Sequence, residues 1–229
     1  MFSRPWRLLQ LLAAFALISV LSSAVAQSLS NLREQEIATC LPGEVATWND
    51  NRDRPAISQS LVFAYRHDAA PSWFSEQQVL TFIESATQSW SPCGIASRVT
   101  SLLNASNARS DAVTVLWSEE GSRNNFGLAN LGNRTLNLGP QAFAILKKVN
   151  PNADAGQVLQ MVISHEMGHF YGVMAHSRRC VDVTSYYDNG QGQTCTIRGG
   201  LPRPPGMEYR SSLPTACDIQ RCKAANGIR

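Results

Sequence analysis

Three of the chain's four histidines fall between positions 165 and 176, and their spacing dictates what that stretch must become. It reads Val162-Ile163-Ser164-His165-Glu166-Met167-Gly168-His169-Phe170-Tyr171-Gly172-Val173-Met174-Ala175-His176. Side chains at i and i+4 share one face of an α-helix, one turn apart, so a helix stacks the imidazoles of His165 and His169. Two imidazoles held that way can bind one Zn2+ at about 2.0–2.1 Å each. Glu166 projects beside the metal, where it can take a proton from zinc-bound water. Gly172 ends the helix because it tolerates the left-handed conformation that turns a chain away. His176 then lies where a third ligand can return to the same ion. A bare H-E-x-x-H arises by accident in ordinary amphipathic core helices; the added Gly and His make the pattern specific.

The sequence before this stretch supports a rigid helix. Pro151-Asn152 breaks the chain, Asp154 is an N-cap, and Gln157 stands three residues on. Val158, Met161, Val162, His165 and His169 share one face, so the ligands continue a stripe that faces the core.

The first 26 residues read as a secretory signal peptide. Arg4 and Arg7 form the positive end, Leu11 to Leu21 is apolar, and Ala24-Val25-Ala26 is a small-residue cleavage site. The alternative is an uncleaved anchor, for which the apolar run is short. The formal charge of the whole chain is +3, and removing two arginines leaves it near neutral. Nothing in that charge balance points to a nucleic-acid binder or a polybasic membrane patch. The remaining 203 residues, 229 less the first 26, are enough for one domain with a real core. All six cysteines (Cys40, Cys93, Cys180, Cys195, Cys217, Cys222) follow the cleavage site, and an even count in an exported chain points to three disulfides. Cys180 with Cys195 closes a Gly-rich loop, and Cys40 with Cys93 would tie the N-terminal segment to the first helix. Cys217 and Cys222 remain, yet five helical residues separate them by about 8–9 Å, too far to bridge. A structural zinc on four cysteines is the alternative, disfavoured because no C-x-x-C pair occurs.

Residues 27–58 are polar and rich in turn formers and read as an irregular lead-in; residues 59–229 form the domain proper. Leu61, Phe63 and Tyr65 alternate as in a strand. Ser75 to Trp90 is a helix with a Ser75/Gln78 cap and an apolar face of Val79, Ile83, Ala86 and Trp90, stopped by Pro92. Ala112 to Trp117 is a buried strand. Phe126 to Leu138 holds two short strands around Gly132-Asn133, and Gln141 to Val149 is a short helix. After His176 the chain is loop-like to Pro205, and Thr215 to Ala225 is a closing helix.

His165, Glu166, His169 and Gly172 match, position for position, the H-E-x-x-H-x-x-G-x-x-H pattern of the metzincin zinc peptidases. The chain resembles that family, nearest its matrixin and astacin branches, from about Leu61 to the C-terminus. It departs at the third His, whose family position is Ala175; His176 comes one residue late, and a one-residue bulge after Gly172 would deliver it. The resemblance implies an α+β fold: a single metzincin-like domain with a small twisted mixed sheet, an active-site helix carrying the motif, and a loop-rich C-terminal part ending in a helix. It also implies that Met207 forms a turn beneath the zinc. Tyr209, two residues on, would ligate the resting metal or stabilise an oxyanion. The region Phe126 to Leu138 would provide an edge strand with which a peptide substrate pairs. Matrixins are kept latent by a cysteine, but the context of Cys40, Ala38-Thr39-Cys40-Leu41-Pro42, lacks their switch motif.

The expected function is that of a secreted zinc-dependent endopeptidase. His165, His169 and His176 would bind Zn2+, Glu166 would be the general base for a metal-activated water, and Tyr209 would assist. The alternative is a non-catalytic exported zinc-binding module that holds a protein or peptide partner, an idea the displaced His keeps open. Asp182, Asp188 or His67 are substitutes for the third ligand; Glu208 fits a glutamate-ligand zinc peptidase poorly. A serine or cysteine hydrolase lacks a histidine base once the zinc set is removed. The expected partners are a protein or peptide substrate, with no nucleic acid and no stable membrane insertion after signal cleavage. A monomer, secreted or periplasmic, is expected.

Overall fold

The computed structural model describes residues 27–101 and 111–229, so the expected signal peptide lies outside the described residues. No helix among the described residues is long and apolar enough to cross a membrane. The β-branched and aromatic runs form a five-stranded mixed sheet. β1 (Ser60–Arg66), β2 (Ala96–Ser101), β3 (Val113–Trp117) and β5 (Thr135–Leu138) are parallel, in the order β2-β1-β3-β5. β4 (Gly127–Asn130) forms the last edge, antiparallel to β5. The helices are α1 (residues 27–38), α2 (Glu76–Trp90), α3 (Glu119–Ser122), α4 (Pro140–Val149), α5 (Ala155–Phe170) and α6 (Ala216–Ala225). A short hairpin, β6 (Thr196–Ile197) and β7 (Leu201–Pro202), lies in the loop-rich part before α6.

Alternation in β1 sends Leu61, Phe63 and Tyr65 into the main core, together with Val113, Val115 and Trp117 of β3 and the inner faces of α2 and α5. Val62 and Ala64 meet Ala112 in a small separate cluster. Ser75 caps α2 by accepting from the Gln78 N–H, and Asp154 caps α5 by accepting from the Gln157 N–H at 3.0 Å. Buried on nearly all sides, α5 is the central helix of the domain. Trp90 fixes its rotation. The indole N–H donates to the Ser164 carbonyl at 3.0 Å, and the ring stacks on Tyr171 with centroids 5.4 Å apart. Ser164 and Gly168 therefore face α2, while His165, Glu166 and His169 face a cleft bordered by β4.

Three features differ from the sequence-based expectation. Residues 27–38 are helical rather than irregular: Leu29, Leu32 and Ile37 pack on Cys180, Val181, Cys195, Ile197 and Tyr209. Residues 46–57 then form a strap along the chain reversal after α5. Its hydrogen bonds are Arg178 N–H to Ala46 O (2.9 Å), Trp48 N–H to His176 O (2.9 Å), Arg54 N–H to Gly172 O (3.1 Å) and Ile57 N–H to Phe170 O (3.3 Å). β2 is a strand where none was expected, because its residues Ala96 to Ser101 are mostly polar and half exposed. The disulfides are Cys40–Cys217, Cys93–Cys222 and Cys180–Cys195; the last was expected, and the pairing of Cys40 with Cys93 is corrected. Both mispaired cysteines reach α6, which lies between the N-terminal segment and the turn after α2. Cys217 and Cys222 do not bridge each other, as their spacing requires.

Candidate metal centre

The last turns of α5 and the reversal behind it bring His165, His169 and His176 together, with ring centroids 5.2, 5.2 and 5.3 Å apart. One ring nitrogen of each lies within 4.8 Å of the other two. Gly172 makes the reversal possible: its φ is +100°, and a Cβ there would meet the Arg54 carbonyl oxygen at 2.1 Å. Each imidazole turns Nδ1 toward an oxygen. His165 faces Val183 O at 2.8 Å, His169 faces Val173 O at 2.8 Å, and His176 faces Asp50 Oδ2 at 2.5 Å. Carbonyls and ionised carboxylates only accept, so each Nδ1 carries the proton and each Nε2 keeps its lone pair. The Nε2 of His176 is buried with no hydrogen-bond partner. A cation held by three imidazole nitrogens satisfies it, and a neutral three-histidine donor set with one position left open suits zinc.

Burial keeps His165 and His176 neutral. It pushes His165 well below its ordinary value, aided by the charges of His169 and His176. Burial also pushes His176 down to about 4, against the opposing pull of Asp50. Asp50 is raised by burial, but its hydrogen bonds from His176 outweigh that, and its carboxyl lies below the usual range. The pair is thus a neutral His and an ionised Asp at neutral pH.

Glu166 lies one residue beyond the first histidine and lines the same cleft. Its Oε2 accepts from the Ala129 N–H of β4 at 2.8 Å. Burial raises its pKa, opposed by His169 and by that N–H. The cleft has a volume of about 500 Å³. Phe126, Leu131, Leu146, Val158, Met161 and Val162 form an apolar wall, and Tyr186, Glu208 and Arg210 stand among the polar lining residues. Tyr186 stacks on His176 with centroids 3.7 Å apart and planes 15° apart. Burial pushes its hydroxyl up to about 12, so it stays protonated.

Of the expected site residues, His165, Glu166, His169 and His176 come together; Met207 and Tyr209 do not join them. Met207 is 39% exposed, and Tyr209 is fully buried with its hydroxyl on Glu36 Oε2 at 2.6 Å. Residues 208–210 alternate: Glu208 and Arg210 face the cleft, so Tyr209 points the other way, into the cluster under α1. His67 is occupied elsewhere, its Nδ1 paired with the Tyr65 hydroxyl at 2.6 Å. Asp182 is buried on Ser177, Arg179 and Thr215, and Asp188 joins the two as no part of the three-histidine group. Cys40 is in a disulfide and has no thiol to offer a metal. Asp50 and Tyr186 are the residues that sequence reasoning missed. Asp50 sits in a run of turn formers, and Tyr186 in a loop without a readable pattern, so neither carried a local signal.

The described chain is therefore a mixed α/β domain with three disulfides and a three-histidine group able to hold a metal ion. It matches no known protein family and no curated protein. Among solved structures it is similar to a chain of the GM1-bound form of the ECX AB5 holotoxin. That likeness has 12% identity and a TM-score of 0.44, over 82% of this chain and 92% of the other. It is also similar to high choriolytic enzyme 1, a hatching-enzyme zinc protease from the medaka fish Oryzias latipes. There the identity is 12% and the TM-score 0.40, over 84% of this chain and 100% of the other. At these values neither bears on the reading of the site, which stands on the chain's own residues.

Proposed function

We propose that the chain is an exported zinc-dependent endopeptidase. The observation that carries this reading is the set of three imidazoles, each with Nδ1 turned to an acceptor, beside Glu166 in one cleft. His165, His169 and His176 would hold a zinc ion, which would supply Lewis acidity and activate a water. Glu166 takes the proton of the attacking water and hands it to the leaving amine. Its raised pKa, with Oε2 steadied by Ala129, favours that exchange. Tyr186 donates its hydroxyl proton as a hydrogen bond to the developing oxyanion. A peptide lies along β4 by strand addition, with an apolar side chain against the wall of Leu146, Val158 and Val162. Three disulfides and no free cysteine among the described residues fit an oxidising, exported location.

The test uses an unfolded protein such as casein as substrate. Cleavage should stop with a chelator and return with zinc. Glu166→Gln should keep the metal and slow cleavage by about 10²–10⁴-fold, the usual contribution of a general base. Full activity in that variant ends the proposal. Zinc bound without cleavage of any peptide favours the non-catalytic binding module instead.

A further inference from the structure

Taking the three histidines as the metal site proposed above, we propose that the strap at residues 46–57 is a built part of that site, with Asp50 as the positioning residue for His176. The third histidine stands four residues after Gly172, and the extra residue has to be folded away for the ring to arrive. Asp53 does this. Its Oδ1 accepts from two successive amides, Met174 N–H at 2.8 Å and Ala175 N–H at 2.9 Å. Arg221 of α6 holds Asp53 from behind, with Nε on Oδ2 at 3.0 Å and Nη2 on Oδ1 at 2.9 Å. The same guanidinium donates to the Ala175 carbonyl and to the Thr184 hydroxyl, tying the turn before His176 to α6 and to the loop at Thr184.

Asp50 takes the next amide. Its Oδ1 accepts from the His176 N–H at 3.0 Å, and its Oδ2 faces His176 Nδ1 at 2.5 Å. One carboxylate thereby fixes the backbone and the ring of the same residue. His165 and His169 have their tautomers set by main-chain carbonyls, which no substitution alters. His176 alone depends on a side chain. The strap is also threaded into place by the Trp48, Arg54 and Ile57 amides, so its removal would take Asp50 and Asp53 away together. Residues 46–57 are accordingly part of the working domain.

Asp50→Asn is the sharp test, because an amide has one acceptor where the carboxylate has two. If its oxygen stays on the His176 N–H, its NH₂ faces Nδ1, and the ring proton moves to Nε2, the atom the metal needs. The expected result is an apo melting temperature close to that of the wild type, with zinc affinity about 10–100-fold lower by competition with a chromophoric chelator. A residue that only supports the fold would give the opposite split, lowered melting with unchanged affinity, and that result overturns the proposal. Should the variant fail to fold, ¹⁵N NMR of the wild-type apo protein decides. The His176 ring should be the Nδ1–H tautomer, and a dominant Nε2–H form overturns the proposal. A wild-type protein that takes up no zinc overturns the metal reading and this proposal with it. Wild-type uptake with unchanged affinity in Asp50→Asn overturns this proposal alone.

Discussion

The ring of Tyr186 lies face to face with that of His176 in the cleft, so the proposed oxyanion role falls to Tyr186. Its hydroxyl is protonated at any working pH, so it can donate but not act as a base. Tyr186→Phe keeps the stacked ring and removes only the hydrogen-bond donor. The expected outcome is a fall in kcat of about 10²-fold, the scale of one oxyanion donor, with zinc content unchanged. Steady-state kinetics on a fluorogenic peptide checks it, and an unaltered kcat excludes the role. The corresponding change at Tyr209 should lower stability instead, since its hydroxyl is buried on Glu36. At this scale the grouping of His165, Glu166 and His169 was legible because their spacing within one helix fixes their geometry. The tyrosine was not. Its place depends on which way an extended segment alternates, and a spacing after a methionine does not report that.

Between elements, β4 and α5 are in direct contact, and Gly127 is where they meet. A Cβ on Gly127 would lie 2.5 Å from Val162 Cγ1 and 2.9 Å from Glu166 Cγ. Gly127→Ala should therefore push Glu166 off its Ala129 hydrogen bond while leaving the histidines alone. Overpacking of this kind costs about 1–3 kcal/mol, visible as a lower melting temperature. Catalysis should fall with zinc affinity retained; a variant as active as the wild type would show that Glu166 is not held by β4. Caps and periodicity made α2 and α5 readable, since Ser75 and Asp154 each accept from the amide three residues on. α1 was hidden because turn formers at residues 42–55 dominated the reading of its neighbourhood. β2 was hidden because its polar residues show no burial alternation strong enough to announce a strand.

Across the whole molecule, the two ends of the chain are joined around the site. Cys40–Cys217 and Cys93–Cys222 span separations of 177 and 129 residues, and both end on α6. Removing a native bridge of this kind from a small exported domain costs about 2–5 kcal/mol. Asp218 of α6 adds to the join: its carboxylate holds the Val183 amide and the Thr184 hydroxyl, and Val183 in turn orients His165. These links lay beyond sequence reasoning because they depend on which distant segments α6 lies between. What the sequence did carry was the local half of the centre, two histidines and a glutamate on one helix. The long-range half, supplied by the strap and α6, became visible only in the fold. X-ray absorption at the zinc edge of the purified protein tests the central claim most directly. One zinc per chain with three imidazole nitrogens and one oxygen at about 2.0–2.1 Å is the expected result. A protein that takes up no zinc, or holds it with fewer than three imidazoles, contradicts the account.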